Sequence, residues 1–134
     1  MISNQNKRYS EYLESELEAA AIYASLAEVE NDEKRATIFR KLVDAEMRHA
    51  ARWADKLGID STKLKPKTSG PKILSLKFAA KLFGTNKIIP LLLKIEAKEV
   101  DIYASDPEAQ DLVGEERQHS VTLRNLTKSP SCFI

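Results

Sequence analysis

A chain of 134 residues with 43% hydrophobic content is long enough to bury one proper core and too apolar for a disordered segment. Twenty-one basic side chains against 20 acidic ones leave a net charge of +1, which gives no support for nucleic acid as a partner. A single cysteine, Cys132, excludes an internal disulfide, a four-cysteine zinc site and a rubredoxin-type iron site, and points to the cytoplasm.

The N-terminus, Met1 to Tyr9, is polar and lacks the apolar core of a signal peptide. The longest apolar run, Ile88 to Leu93, contains Pro90 and is far too short to span a bilayer, so a soluble chain is expected. Helical periodicity then begins at about Asn6 and continues to Glu30, rich in Ala, Leu and Glu and free of Gly and Pro. Its apolar stripe steps through Tyr9, Leu13, Glu16, Ala20, Tyr23 and Ala27, so a carboxylate interrupts the core face.

Asn31-Asp32 supplies a turn and cap for a second helix that runs to Leu57 and stops at Gly58. Its stripe reads Phe39, Leu42, Glu46, His49, Trp53. Asp60 to Gly70 is a polar connector, and Pro71 opens a short amphipathic helix ending at Phe83, before Gly84. No acidic residue occurs between Asp60 and Glu96, while Lys63, Lys65, Lys67, Lys72, Lys77, Lys81, Lys87 and Lys94 accumulate there. This basic strip suits a solvated face, with anionic lipid headgroups or an acidic partner as the alternatives.

A third main helix is predicted from about Thr85 to Ser105, with Pro90 near its first turn and a stripe of Ile89, Leu92, Glu96, Glu99 and Tyr103. Asp106-Pro107 makes a tight turn into the fourth, whose stripe is Leu112, Glu116, His119, Leu123 and Leu126 and whose first half is weakened by Gly114. Thr127 to Ile134 reads as a structureless tail. The expectation is therefore one all-α domain over residues 1–134, with a helical core of about 6–126.

Five carboxylates and two imidazoles thus point inward, and no Lys or Arg is expected in the same stripes. Burying unpaired carboxylates costs several kcal/mol per ion, so metal ions are the missing positive charge; protonated carboxyls are the plainer alternative. The chemistry also repeats. Glu16 precedes Tyr23 by the same seven residues that separate Glu96 from Tyr103, and each half then supplies one Glu-x-x-His, Glu46 with His49 and Glu116 with His119. These are the only two histidines in the chain. Residues three apart share a helix face, so each motif offers a carboxylate able to bridge two metals and a nitrogen for one.

Glu99, one turn from Glu96, is a further candidate ligand, or a solvated neighbour of the site. Tyr23 and Tyr103 share faces with Glu16 and Glu96, where a phenol could hydrogen-bond a ligand or supply an electron, although core packing is the simpler role. Trp53 reads as core and Glu115 as surface.

The pattern over residues 6 to 126 resembles the rubrerythrin branch of the ferritin-like di-iron proteins. Its short last hairpin and basic crossover look most like the ferritin-like domains fused to vacuolar-iron-transporter-type membrane proteins. That resemblance implies a ferritin-like four-helix bundle with a short helix in the crossover connection and a di-iron centre. Glu16, Glu46, His49, Glu96, Glu116 and His119 match the six common ligands, and Glu99 matches the additional rubrerythrin carboxylate. Glu46 and Glu116 would be the bridges.

The activity implied is oxidation of Fe(II) by dioxygen or hydrogen peroxide, in iron handling or delivery to a membrane transporter, with Glu99, Tyr23 and Tyr103 assisting. A peroxide reductase using an external electron donor and a non-catalytic iron sensor are the alternatives. Manganese or zinc would fit the same ligands. A homodimer is expected from the same resemblance, and the location expected is the cytoplasm, with the cytoplasmic face of a membrane as the alternative. Neither a rubredoxin-like domain nor a membrane domain is present in this sequence.

Overall fold

A computed structural model describes residues 3–128. Its regular structure is helical, and no strand occurs among the described residues. Helix α1 spans Asn4–Val29 and α2 spans Glu33–Leu57; a short α3 covers Pro71–Phe83; α4 spans Ile89–Ala104 and α5 spans Gln110–Lys128. Cys132 and residues 129–134 of the predicted tail lie outside the described residues, but Thr127 and Lys128 belong to α5 rather than to a tail.

The predicted stops and starts act through identifiable groups. The Ser3 side chain accepts from the Asn6 amide at the head of α1, and Asp32 accepts from the Lys34 amide at the head of α2, satisfying otherwise orphaned donors. Gly58 takes the left-handed conformation (φ 74°) and returns its amide to the end of α2. Pro71 sits in the first turn of α3, where its missing N–H costs nothing.

The third main helix begins later than predicted. Thr85–Lys87 form a 3₁₀ turn, and α4 starts only at Ile89, with Pro90 in its first turn. Proline lacks an amide and its ring clashes with the carbonyl four residues back, so an α-helix cannot run through from Thr85. Another 3₁₀ turn, Pro107–Ala109, is capped by Asp106 and runs directly into α5, which continues unbroken through Gly114.

The main contacts pair α1 with α2 and α4 with α5, while α3 lies along α1. Two core clusters result. One is largely aliphatic and includes Ile22, Leu26, Leu92 and Leu123 around Phe39. The other is aromatic, built on Tyr9, Tyr12, Trp53 and Tyr103. Each fully buried side chain of this size contributes roughly 1.5–3 kcal/mol through burial.

One cation is buried, against expectation. Arg35 lies one turn before Phe39 on α2, and its side chain is 4% exposed. It pairs with Glu30 at 3.0 Å and donates to the Leu126 carbonyl and the Thr85 hydroxyl at 2.8 and 2.9 Å. Arg35 therefore ties together the start of α2, the turn before α4 and the end of α5. No helix among the described residues is long and apolar enough to cross a membrane.

Candidate metal centre

Every ionisable residue that interrupts the four stripes is buried: Glu16, Glu46, His49, Glu96, Glu99, Glu116 and His119. The carboxylates of Glu16, Glu46, Glu96 and Glu116 have no measurable exposure. A helix periodicity of 3.6 residues carries each of them onto the face that α1, α2, α4 or α5 turns inward.

They gather into two overlapping groups. Glu16, Glu46, His49 and Glu116 can each present a ligand atom within 4.8 Å of the others, and so can Glu46, Glu96, Glu116 and His119. Glu46 and Glu116 belong to both groups, so each position is served by three carboxylates and one imidazole. The Nδ1 atom of His49 lies 3.2 Å from Glu16 Oε2 and 3.0 Å from Glu116 Oε1; Nδ1 of His119 lies 3.0 Å from Glu46 Oε1 and 3.5 Å from Glu96 Oε2. The two imidazoles are nearly parallel, with ring centres 6.2 Å apart.

The cluster is poorly satisfied by the protein itself. Both oxygens of Glu46 and Glu116, Oε2 of Glu96 and of Glu99, and Nδ1 of His119 are buried without a hydrogen-bond partner among the described residues. His119 Nδ1 and Glu46 Oε1 approach to 3.0 Å yet lie outside hydrogen-bonding geometry. Buried polar groups are normally paired, and an orphaned carboxylate is among the most expensive exceptions. Converging lone pairs with no donor between them suit cations, so these buried groups could hold metal ions.

Electrostatics agrees with that need. Burial, and then the surrounding carboxylates led by Glu16, push Glu46 well above the ordinary carboxyl range. Burial likewise raises Glu99, and Glu116 is pushed up to about 10. Burial opposes charge on His49, but Glu16 and Glu115 more than offset it and hold that imidazole above its usual value. Without added positive charge the cluster keeps protons that metal ions would displace. No family model, curated protein or solved structure matches the chain.

The two tyrosines pack in the core and also bond the cluster, in a crossed arrangement. Tyr23 of α1 donates to Glu96 Oε1 of α4 at 2.6 Å, and Tyr103 of α4 donates to Glu16 Oε1 of α1 at 2.6 Å. Trp53 is core as expected, and its indole N–H reaches the Tyr103 oxygen at 3.1 Å. Glu99 is the one predicted ligand outside both groups; the Ser15 hydroxyl donates to its Oε1 at 3.0 Å.

Glu115 is not merely surface. Although 40% exposed, its Oε2 lies 3.1 Å from Nε2 of His49, on the far side of the ring from the cluster. Accepting from Nε2–H, such a carboxylate favours the tautomer whose Nδ1 could ligate a metal in place of its bond to Glu16 Oε2. Its position beside Glu116 is the only sequence signal it gives. A cleft of about 440 Å³ between α1 and α4, bounded by Tyr12, Ser15 and Lys98, opens the surface toward Glu99 and Tyr103.

Proposed function

We propose that the chain is a ferritin-like four-helix bundle related to the rubrerythrins, with α3 as the short helix of its crossover. It holds two iron ions and oxidises Fe(II) with dioxygen or peroxide as part of cytoplasmic iron handling, with a membrane iron transporter as the destination. The observation that carries this reading is the sharing of Glu46 and Glu116 between two otherwise separate groups, with both oxygens of each carboxylate buried and without a hydrogen-bond partner among the described residues. A single-metal site has no use for that duplication.

The donor set fits iron in kind, being carboxylate oxygens with one imidazole nitrogen per position; manganese would fit equally, and zinc without redox chemistry. Glu16 and His49 would complete one position, Glu96 and His119 the other. An iron pair would supply two electrons to one O–O bond, one from each Fe(II), so that one hydrogen peroxide and two protons become two waters and both irons become Fe(III).

The chain's own residues orient and admit. The hydroxyls of Tyr103 and Tyr23 hold one oxygen of Glu16 and of Glu96; the other oxygen of Glu96 has no hydrogen-bond partner among the described residues, and that of Glu16 meets His49 Nδ1. Glu115 holds the His49 ring. Glu99, steadied by Ser15, is the one carboxylate of the predicted ligand set that lines the cleft. Glu99→Gln is expected to slow oxidation while leaving metal binding in place.

Stopped-flow mixing of the Fe(II)-loaded chain with dioxygen or peroxide tests this reading. Rapid formation of Fe(III), slowed by Glu99→Gln, is the expected result. Sustained peroxide consumption only in the presence of an added electron donor would move the function to a peroxide reductase, and tight binding with no oxidation would leave an iron-sensing or structural module.

A further inference from the structure

Both faces of α3 are apolar, yet only one is covered. Ile73, Leu76, Ala79 and Ala80 turn inward and join the aliphatic cluster against α1. On the outer face Leu74, Phe78 and Leu82 recur every fourth residue at 49, 62 and 58% exposure, and Phe83, the last residue of the helix and about 100° further round, is 69% exposed. They are four of the six large hydrophobic side chains that stand exposed among the described residues. Concentration on one helix marks a contact surface rather than the ordinary scatter of surface apolar groups.

Charge identifies the contact. At 3.6 residues per turn, Lys77 and Lys81 fall on one side of the outer stripe and Lys72 on the other. Lys72 and Lys77 also tie the helix down through Glu18 and Glu28 of α1, at 2.5 and 2.8 Å. Lys81 has no carboxylate partner among the described residues, nor do Lys63, Lys65, Lys67 and Lys87 in the flanking segments. No acidic residue lies between Asp60 and Glu96 to answer them.

We propose that the outer face of α3 docks onto an anionic lipid surface, with Leu74, Phe78 and Leu82 entering the boundary between headgroups and acyl chains while the flanking lysines meet headgroup phosphates. A helix of 13 residues is only about 20 Å long, so it lies in the interface and does not cross it. Pairing with a second copy is disfavoured by the same charges. A two-fold contact sets a patch against itself, and here that would face lysine with lysine over a stretch without carboxylates.

Co-sedimentation of the full chain with vesicles tests the proposal, alongside sedimentation velocity without lipid. Binding is expected to equimolar phosphatidylcholine and phosphatidylglycerol, not to phosphatidylcholine alone, and to weaken with salt. Lys81→Gln should weaken it about fivefold. The double variant Phe78→Ser, Leu82→Ser should weaken it by roughly tenfold or more, and the outward aim of both side chains leaves the fold intact. Metal-free and metal-loaded protein should bind alike, which separates this surface from the chemistry of the carboxylate cluster. Equal binding to neutral vesicles, or no binding to anionic ones at low salt, overturns the proposal. A dimer abolished by the double variant, in a chain that ignores anionic vesicles, would assign the face to a second copy instead.

Discussion

The two ends of the molecule are held by different physics, although the ligand cluster between them is nearly symmetric. At one end the buried Arg35 gathers Glu30, Thr85 and the Leu126 carbonyl beside an aliphatic core. At the other, Tyr9, Tyr12, Trp53 and Tyr103 pack ring against ring, with Tyr12 to Trp53 centres 4.8 Å apart, beside a buried Asp106 and under a partly exposed rim of Arg8 and Glu108. The repeat in the sequence therefore extends to the ligands and their tyrosines and no further.

The largest effect should come from Arg35. Arg35→Met leaves Glu30 buried without its cation and frees the turn before α4, and should cost about 3–5 kcal/mol in chemical denaturation. Its counterpart at the opposite end is Arg8, which pairs with Asp106 at 3.1 Å but is 38% exposed. If Arg35→Met proved as mild as Arg8→Met, the contrast between the ends would be lost.

Tyr103 and Tyr23 sharpen the contrast at the cluster itself. Tyr23→Phe strands one oxygen of Glu96 and should cost about 1.5–3 kcal/mol. Tyr103→Phe strands Glu16 and the Trp53 indole together, so its cost in the same titration should be the larger. Equal losses would show that the indole bond contributes nothing.

The cluster between the ends sets a pH dependence for the metal-free protein. Glu46, Glu99 and Glu116 have raised pKa values when folded, Glu116 at about 10 against an ordinary 4.5. Above pH 4.5 the unfolded chain has released protons that the folded chain keeps, so stability falls as pH rises from 4.5 toward 10. Denaturation of the metal-free chain should show it more stable at about pH 5 than at about pH 8, and bound metal should narrow or reverse that order. A metal-free chain that gained stability with pH would show the carboxylates to be ionised already.

Arg8→Met should have the smallest effect, about 1 kcal/mol or less, because solvent screens the pair and Asp106 keeps the Tyr12 hydroxyl at 2.7 Å and the Glu108 amide.

Much of this arrangement was legible in the sequence because ionisable residues in an apolar helical stripe leave a period that can be counted. Glu16, Glu46, His49, Glu96, Glu116 and His119 were found in that way, and their convergence required only that four stripes meet. What depended on how the helices sit against one another was not legible. Arg35 looks like an ordinary charged residue in the first turns of α2; its burial depends on partners 50 and 91 residues away. Glu115 alternates with Glu116 between two faces, and only the position of α2 brings its exposed side onto His49. The crossed tyrosine bonds were hidden for the same reason, since each phenol serves the carboxylate of the other half. The late start of α4 follows from Pro90, a local signal that bars an α-helix from running through from Thr85.

Anaerobic titration of the metal-free chain with Fe(II), read as bound metal per chain for the wild type, Glu116→Gln and Glu16→Gln, tests the shared-carboxylate centre most directly. Two irons per chain for the wild type, loss at both positions in Glu116→Gln and loss at one in Glu16→Gln are predicted, since Glu116 belongs to both groups and Glu16 to one. Binding of one iron or none by the wild type, or equal losses in the two variants, would contradict a centre built on shared carboxylates.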